Sequence, residues 1–224
     1  MFTFLPITLL LYYVSPRVLK NSILLLASLI FYAWGEPIYV FLMIGTILID
    51  YLLAILIDRN RDDYSKCKWI FILTIILNVS ILGFFKYFGF FVDNINSIFH
   101  LNIPFEGLAL PIGISFYTFQ VLSYIVDVYL GKVEVQYNLI NFATYVTMFP
   151  QLVAGPIVQY QTIEDQLNTR QESIVKFGEG VERFIQGLGK KVLLANNIGM
   201  LWTTISSLEL SSISVLTAWL GIIA

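Results

Sequence analysis

The chain has 224 residues, of which 58% are hydrophobic and 12% charged, with a net charge of −2 and a mean hydropathy of +0.78. The charged share is about half that of a soluble domain, and 18 Phe and 13 Tyr outnumber the 13 basic and 15 acidic residues together. So little polar surface excludes an ordinary cytoplasmic enzyme, a disordered chain, a disulfide scaffold and a nucleic-acid binder. What remains is an all-α, polytopic membrane protein.

One cysteine, Cys67, excludes an internal disulfide, and one histidine, His100, excludes a multi-histidine metal site. The first basic residue, Arg17, follows the first apolar run instead of preceding it, so residues 1–14 read as a retained membrane segment and not a cleaved signal.

A bilayer core of roughly 30 Å calls for about 20 apolar residues per helix. Residues 1–16 and 18–34 are two short apolar runs around Ser15-Pro16-Arg17, expected to form a helical hairpin. Glu36-Pro37 punctuates, and 38–57 is a full span. Residues 58–68 form a charged loop with Arg59, Arg61, Lys66 and Lys68; 69–92 span again; 93–107 form a polar loop with Pro104 and no basic residue; 108–130 span; Lys132 and Glu134 mark the next loop. The four basic residues of 58–68 place that loop in the cytoplasm. Arg17, Lys20 and Lys132 then fall on the same side, with Glu36, residues 93–107 and the N-terminus outside.

Residues 142–158 (FATYVTMFPQLVAGPIV) break this alternation. They are apolar but interrupted by Pro150 and Gly155-Pro156, and the region beyond carries Arg170, Lys176, Arg183, Lys190 and Lys191. If that region is also cytoplasmic, 142–158 cannot cross once. A re-entrant or interfacial segment satisfies both facts, and irregular backbone at membrane depth belongs where protein buries it or a cavity is lined. Residues 174–200 read as an amphipathic helix, with Phe177, Val181, Phe184, Leu188 and Val192 on one face and Glu179, Arg183, Gln186 and Lys190 on another. Glu179 and Arg183 are an i,i+4 pair. Such a helix lies in the membrane interface or packs on its neighbours. A serine-rich stretch, 206–214 with Glu209, precedes an apolar run from Ile213 to Ala224, about eight residues short of a span. The expectation is a chain cut within a helix. No internal repeat is evident.

Ionisable residues at membrane depth are functional candidates by default. Asp50 lies about 12 Å below the 58–68 loop at ~1.5 Å per residue, either lining a path or hydrogen-bonded structurally; the structural role is the simpler account. Lys86, in GFFKYFGFF, is placed to snorkel among rings, and Asp127 to sit near the interface. His100, in a polar loop, has no positioned neighbour in the sequence to make it a general base, and Cys67, among charges, reads as incidental. Lys190 and Lys191 anchor the chain on its cytoplasmic side or attract anionic head groups or an anionic acyl donor. Tyr117, Gln120 and Gln151 are polar positions within apolar runs.

Several segments resemble the membrane-bound O-acyltransferase superfamily, in particular its alginate O-acetyltransferase branch: LPIGISFYTFQVLSYIVDVYLGK (110–132), FPQLVAGPIV (149–158) and RFIQGLGKKVLLAN (183–196), supported by FLPITLLLYYV (4–14), SLIFYAWGEP (28–37) and ILGFFKYFGFF (81–91). They occur in the family's order over nearly the whole chain. The resemblance implies a polytopic helical protein of the inner, cytoplasmic membrane with a tunnel through it. It implies transfer of an acyl group, often acetyl, to a hydroxyl of an extracellular or cell-wall polysaccharide, with a separate extracytoplasmic partner protein. No cofactor or metal is implied; the acyl donor (acetyl-CoA or similar) is a substrate supplied from the cytoplasm.

The family's catalytic histidine lies in a Trp-Arg-x-Trp-His context in the later half of a chain about twice as long. This sequence has no such motif, and His100 does not match it. The expectation is that residues 1–224 are the N-terminal portion of one membrane-embedded acyltransferase domain, with no catalytic residue of its own and no activity alone. They would build one wall of the tunnel, with Tyr117, Gln120, Gln151 and Asp50 as candidate lining. The alternatives are a transporter or channel using the broken 142–158 segment, against which the missing inverted repeat speaks, and a non-catalytic membrane scaffold.

Overall fold

The structure is a computed structural model that describes residues 3–101, 103–104, 109–153, 155–208 and 214–223. The tip of the 93–107 loop, Ala154 and most of the serine-rich stretch, Glu209 included, lie outside the described residues. No strand occurs among the described residues, and the chain divides into two units, Met1–Arg170 and Gln171–Ala224.

The first unit opens with the expected hairpin, α1 (Phe4–Val14) and α2 (Lys20–Gly35), joined through one 3-10 turn at Arg17–Leu19. Pro16 holds an extended backbone that cannot continue α1, and the Ser15 hydroxyl donates to the Leu11 carbonyl at 2.6 Å, satisfying one of the orphaned acceptors of the helix end. Next come α3 (Tyr39–Arg59) and α4 (Tyr64–Phe99). These two and residues 17–35 are long and apolar enough to cross a membrane.

Three boundaries differ from expectation. The 58–68 loop shrinks to residues 60–63, because Asp63 caps α4 by accepting the Lys66 N–H at 3.1 Å and draws Ser65 to Lys68 into the helix. Cys67 is consequently buried in the first turns of α4 and not set among loop charges. The polar residues 93–99 continue α4 instead of ending it. Asn94 and Ser97 bond back to the Phe90 and Asp93 carbonyls (2.6 and 2.8 Å), and the helix stops only where His100 turns left-handed (φ 51°). With 36 residues, α4 is about 54 Å long at ~1.5 Å per residue, well beyond a ~30 Å bilayer core. The expected span at 108–130 yields a shorter helix, α5 (Ile114–Tyr129), because Pro111 and Gly113 (φ +77°) hold the chain out of helix up to residue 113.

Residues 139–169 form α6 (Leu139–Thr147), the single turn α7 (Phe149–Leu152) and α8 (Tyr160–Thr169). Asn138 caps α6, its carboxamide oxygen accepting the Ile140 and Asn141 N–H groups at 2.9 and 3.2 Å. The second unit is helical from Ile174 to Ser206: α9 (Ile174–Gly189), a π segment (Lys190–Ala195) and α10 (Asn196–Ser206), followed by α11 (Val215–Ile223). On the polar face of α9, Gln186 donates to Glu182 at 3.2 Å. Within this unit Gly221 lets α11 approach α10, since a Cβ there would stand 3.0 Å from the Ile205 methyl.

The first unit sorts its side chains as a bilayer solvent demands. Leu26, Ile30, Phe41, Leu52, Leu73 and Ile76 face outward, while Ser28, Thr46, Asp50, Thr74, Asn78 and Gln120 are buried. A helix apolar all round, such as α3, has no hydrophobic force holding it to its neighbours in lipid. Packing and interhelical hydrogen bonds do that work. Asp50 accepts a hydrogen bond from Asn78 Nδ2 of α4 at 2.7 Å, tying the two helices at their middles.

The two ends of the unit differ in charge. One end gathers Arg17, Lys20, Arg61, Lys132 and Arg170, and hydrogen bonds knit it together. Arg61 donates to the Val128 carbonyl (2.9 Å) and pairs with Asp58 (2.7 Å), and Tyr137 donates to Asp58 Oδ2 (2.6 Å). Asn21 donates to Asn141 (2.7 Å) and to the Leu167 carbonyl (2.9 Å), and Arg170 donates to Asn21 (2.6 Å) and the Tyr12 hydroxyl (2.9 Å). At the opposite end the Ile112 N–H donates to Glu36 Oε1 at 3.2 Å. Every basic loop of this unit that alternation placed on one side therefore meets at one end.

Candidate functional site

Residues 138–160 leave the basic end and return to it. Asn141 and Tyr160 join the same polar cluster, Asn141 donating to Asn168 (3.1 Å) and Gln136 Nε2 to the Tyr160 hydroxyl (2.8 Å). Between them the chain reaches the opposite end, where a Cβ on Gly113 would stand 2.7 Å from the Leu152 carbonyl oxygen. This is the re-entrant course expected from the charge pattern.

The break that turns the segment re-routes the hydrogen bonds of the Tyr145 carbonyl and the Phe149 N–H. Pro150 has no N–H to give the Val146 carbonyl and would clash with it in a continuous helix. The chain therefore leaves α6 at Met148, with φ −47° and ψ 109°. Phe149 N–H, which would have bonded to the Tyr145 carbonyl, instead donates to Ser28 Oγ of α2 at 3.2 Å. The freed Tyr145 carbonyl accepts from Gln120 Nε2 of α5 at 2.8 Å and from Gln151 Nε2 at 3.1 Å. A side-chain amide from each flank thus replaces the lost helical donor, as an irregular backbone buried away from water requires. The Phe149 ring fills the space between Phe4 and Phe31, at 5.2 and 5.8 Å.

Four aromatic residues back this turn. Tyr124, Phe142, Tyr145 and Tyr160 are fully buried, with ring centroids 4.9 to 5.2 Å apart for the pairs 124–160, 124–142 and 145–160. Their hydroxyls are all engaged: Tyr124 accepts from Gln136 N–H (2.8 Å), and Tyr145 donates to the Val158 carbonyl (2.9 Å). Burial pushes the Tyr160 phenol up to about 12, with the Gln136 hydrogen bond pulling the other way.

Gln120 and Gln151 are thus brought together on one carbonyl, with Tyr117 one turn from Gln120. Asp50 sits apart, 1% exposed and held by Asn78. Lys190 and Lys191 are exposed in the π segment of the second unit. Lys86 is exposed with its ammonium 5.6 Å from the Tyr87 ring, a snorkelling geometry, and Asp127 lies 3.9 Å from Lys132. His100 is exposed at the end of α4. Sequence reasoning missed Ser28, Tyr32 and Tyr145. Ser28 and Tyr32, four residues apart in an apolar helix, were the readable signal. Among the described residues no group of His, Cys, Asp and Glu could hold a metal.

The basic end carries a cleft of about 400 Å³ lined by Asp58, Arg61, Lys132, Glu134 and Tyr137 among others. Its cations are matched, Arg61 by Asp58 and Lys132 by Asp127. The hydrogen bond to Asp58 raises the Tyr137 phenol above its usual value.

A buried, interrupted segment turning back inside an apolar helical bundle defines a multi-pass membrane protein with an irregular wall. The profile of MBOAT, the membrane-bound O-acyltransferase family, matches residues 132–205, which include that wall. All of the chain aligns with a probable alginate O-acetylase AlgI of Pseudomonas aeruginosa at 40% identity, covering 44% of that protein, and with one of Azotobacter vinelandii at 38%, covering 45%. A peptidoglycan O-acetyltransferase of Helicobacter pylori is 32% identical over 98% of the chain and 47% of its own length. No solved structure matches. The chain is thus similar to the membrane-bound O-acyltransferase family over residues 132–205 and to these O-acetyltransferases along its whole length, and it spans a little under half the length of the curated relatives it matches.

Proposed function

We propose that this chain is part of a membrane-bound O-acyltransferase that moves an acyl group, in the first instance acetyl, onto a hydroxyl of an extracellular or cell-wall polysaccharide. The observation that carries this reading is the alignment of the whole chain, re-entrant wall included, with proteins named for O-acetylation of two different polysaccharides. Residues 1–224 correspond to one portion of a larger acyltransferase domain in the cytoplasmic membrane. The basic end faces the cytoplasm and an acyl donor such as acetyl-CoA, and the end marked by Glu36 faces the acceptor and an extracytoplasmic partner protein. Tyr117, Gln120 and Gln151, and apart from them Asp50 at the contact of α3 with α4, are the candidate lining of the path, and Lys190 and Lys191 meet anionic head groups or the donor.

An alcohol is a poor nucleophile at neutral pH, so transfer needs a base within hydrogen-bond reach of it. His100, exposed at the tip of α4, has no such setting, and the base is assigned to sequence outside residues 1–224. The test is chemical analysis of surface polysaccharide from cells with the gene, without it, and with it restored. Base-labile acyl esters that vanish and return with the gene support the reading; an unchanged ester content rules it out.

A further inference from the structure

Two polar atoms inside the first unit are left unmatched by the protein. The hydroxyls of Tyr32 and Tyr117 are buried with no hydrogen-bond partner among the described residues, and the two side chains are 3% and 2% exposed. Every other buried hydroxyl of the aromatic cluster around the re-entrant turn is engaged, so these two stand out. An unpaired buried O–H is destabilising, and such exceptions call for a reason.

The two phenols converge from different helices. Tyr32 lies one turn before Glu36 on α2, and Tyr117 one turn after Gly113 on α5. Those helix ends are drawn together by the Ile112 N–H bond to Glu36 at 3.2 Å. Ser28, one turn below Tyr32, holds Phe149 of the re-entrant turn, and Gly113 abuts Leu152 of the same turn. The hydroxyls therefore sit in the wedge between α2, the start of α5 and the re-entrant wall.

Their chemistry restricts what they would take. A phenol is uncharged at neutral pH and offers one donor. Glu36, one turn further along α2, sets a carboxylate at this end, which opposes an anion such as a phosphate. Both tyrosine side chains belong to the buried apolar core of the unit. Two neutral donors in an apolar wedge match a small neutral acceptor, a carbonyl oxygen with a short alkyl group behind it. We propose that Tyr32 and Tyr117 hold the carbonyl oxygen of the acyl group in transit, each donating one hydrogen bond to it beside the re-entrant turn. This rests on the acyltransferase reading above.

The test uses the whole protein encoded by the gene, with Tyr32→Phe, Tyr117→Phe and the double substitution. Acyl ester on surface polysaccharide is measured per amount of protein in the membrane, together with the unfolding temperature of the purified protein. Phenylalanine keeps the ring and removes only the hydroxyl. The expected result is about a tenfold fall in ester formation for each single variant, the scale of one hydrogen bond, with the unfolding temperature unchanged or raised. Full ester formation in the double variant overturns the proposal. A fall that only tracks a lowered unfolding temperature also overturns it, since the hydroxyls then serve a structural water. If deleting the gene leaves the esters unchanged, the acyltransferase reading itself fails; if deletion removes them and the double variant does not, only the tyrosine assignment fails.

Discussion

Replacing Gly113 by alanine tests the contact that locks the re-entrant turn in place. Gly113 has φ +77°, a region where a Cβ is strained, at a cost of roughly 1–2 kcal/mol for an L side chain. A Cβ there also stands 2.7 Å from the Leu152 carbonyl oxygen, a backbone atom that cannot swing aside. Forcing extra volume into such a packed contact adds about 1–3 kcal/mol. Gly131 supplies the control. Its φ is +71°, nearly the same, but the nearest atom is Arg61 Nη1 at 3.2 Å, the far end of a flexible side chain. Gly131→Ala therefore carries the backbone strain and little of the clash. Thermal unfolding in detergent, followed by circular dichroism, should lower the midpoint by about 5 °C for Gly131→Ala and about 10 °C for Gly113→Ala, at ~2–4 °C per kcal/mol. The difference between the two is the signal. Equal shifts would refute the close approach of residue 152 to the start of α5, and with it the depth assigned to the turn.

Three further outcomes follow from the same geometry. Asn78→Ala strands the buried Asp50 carboxyl and should destabilise the protein by about 2–3 kcal/mol, whereas replacing both Asp50 and Asn78 by leucine should be close to neutral; a double variant whose loss equals the sum of the two single losses would mean the pair is not coupled. Glu164 is half-buried, and burial, then Glu134 and Asp165, raises its carboxyl above the usual range. A raised carboxylate contributes stability that is complete below its unfolded value and is lost as pH rises through the folded one. Glu164→Gln should therefore raise the unfolding temperature at neutral pH and leave it unchanged in acid, and a pH-independent effect would contradict this. Arg170→Lys keeps the charge but cannot reach Tyr12 and Asn21 together, which it does at 2.9 and 2.6 Å. It should cost about 1–2 kcal/mol, and a variant as stable as the parent would show that this fork does not fasten α8 to the hairpin.

The course of the chain was largely legible because the bilayer imposes it. The apolar runs, the Pro16 and Pro37 punctuation and the gathering of basic residues at one end all follow from length and charge. The turn at 142–158 was legible too, since Pro150 and Gly155-Pro156 sit in an apolar stretch whose flanks demand one side. Helix ends were less so. Polar residues 93–99 look like a loop, but Asn94 and Ser97 satisfy themselves on the helix backbone, and composition cannot reveal that. Gln120 and Gln151 were picked out for polarity alone; that both serve one carbonyl depends on where Phe149 N–H goes. The i,i+4 spacing of Ser28 and Tyr32 marks one polar stripe on an apolar helix, but that the Tyr32 hydroxyl has no partner is visible only in the packed structure.

The most direct test of the account is transfer across a membrane. Right-side-out membrane vesicles from cells with and without the gene, loaded inside with a radiolabelled acetyl thioester, are supplied outside with the de-esterified polysaccharide. The account predicts gene-dependent label in base-labile ester on the external polymer. Gene-dependent label that leaves the vesicles without ester formation would make the protein a transporter, and no gene-dependent label in either form would contradict the account altogether.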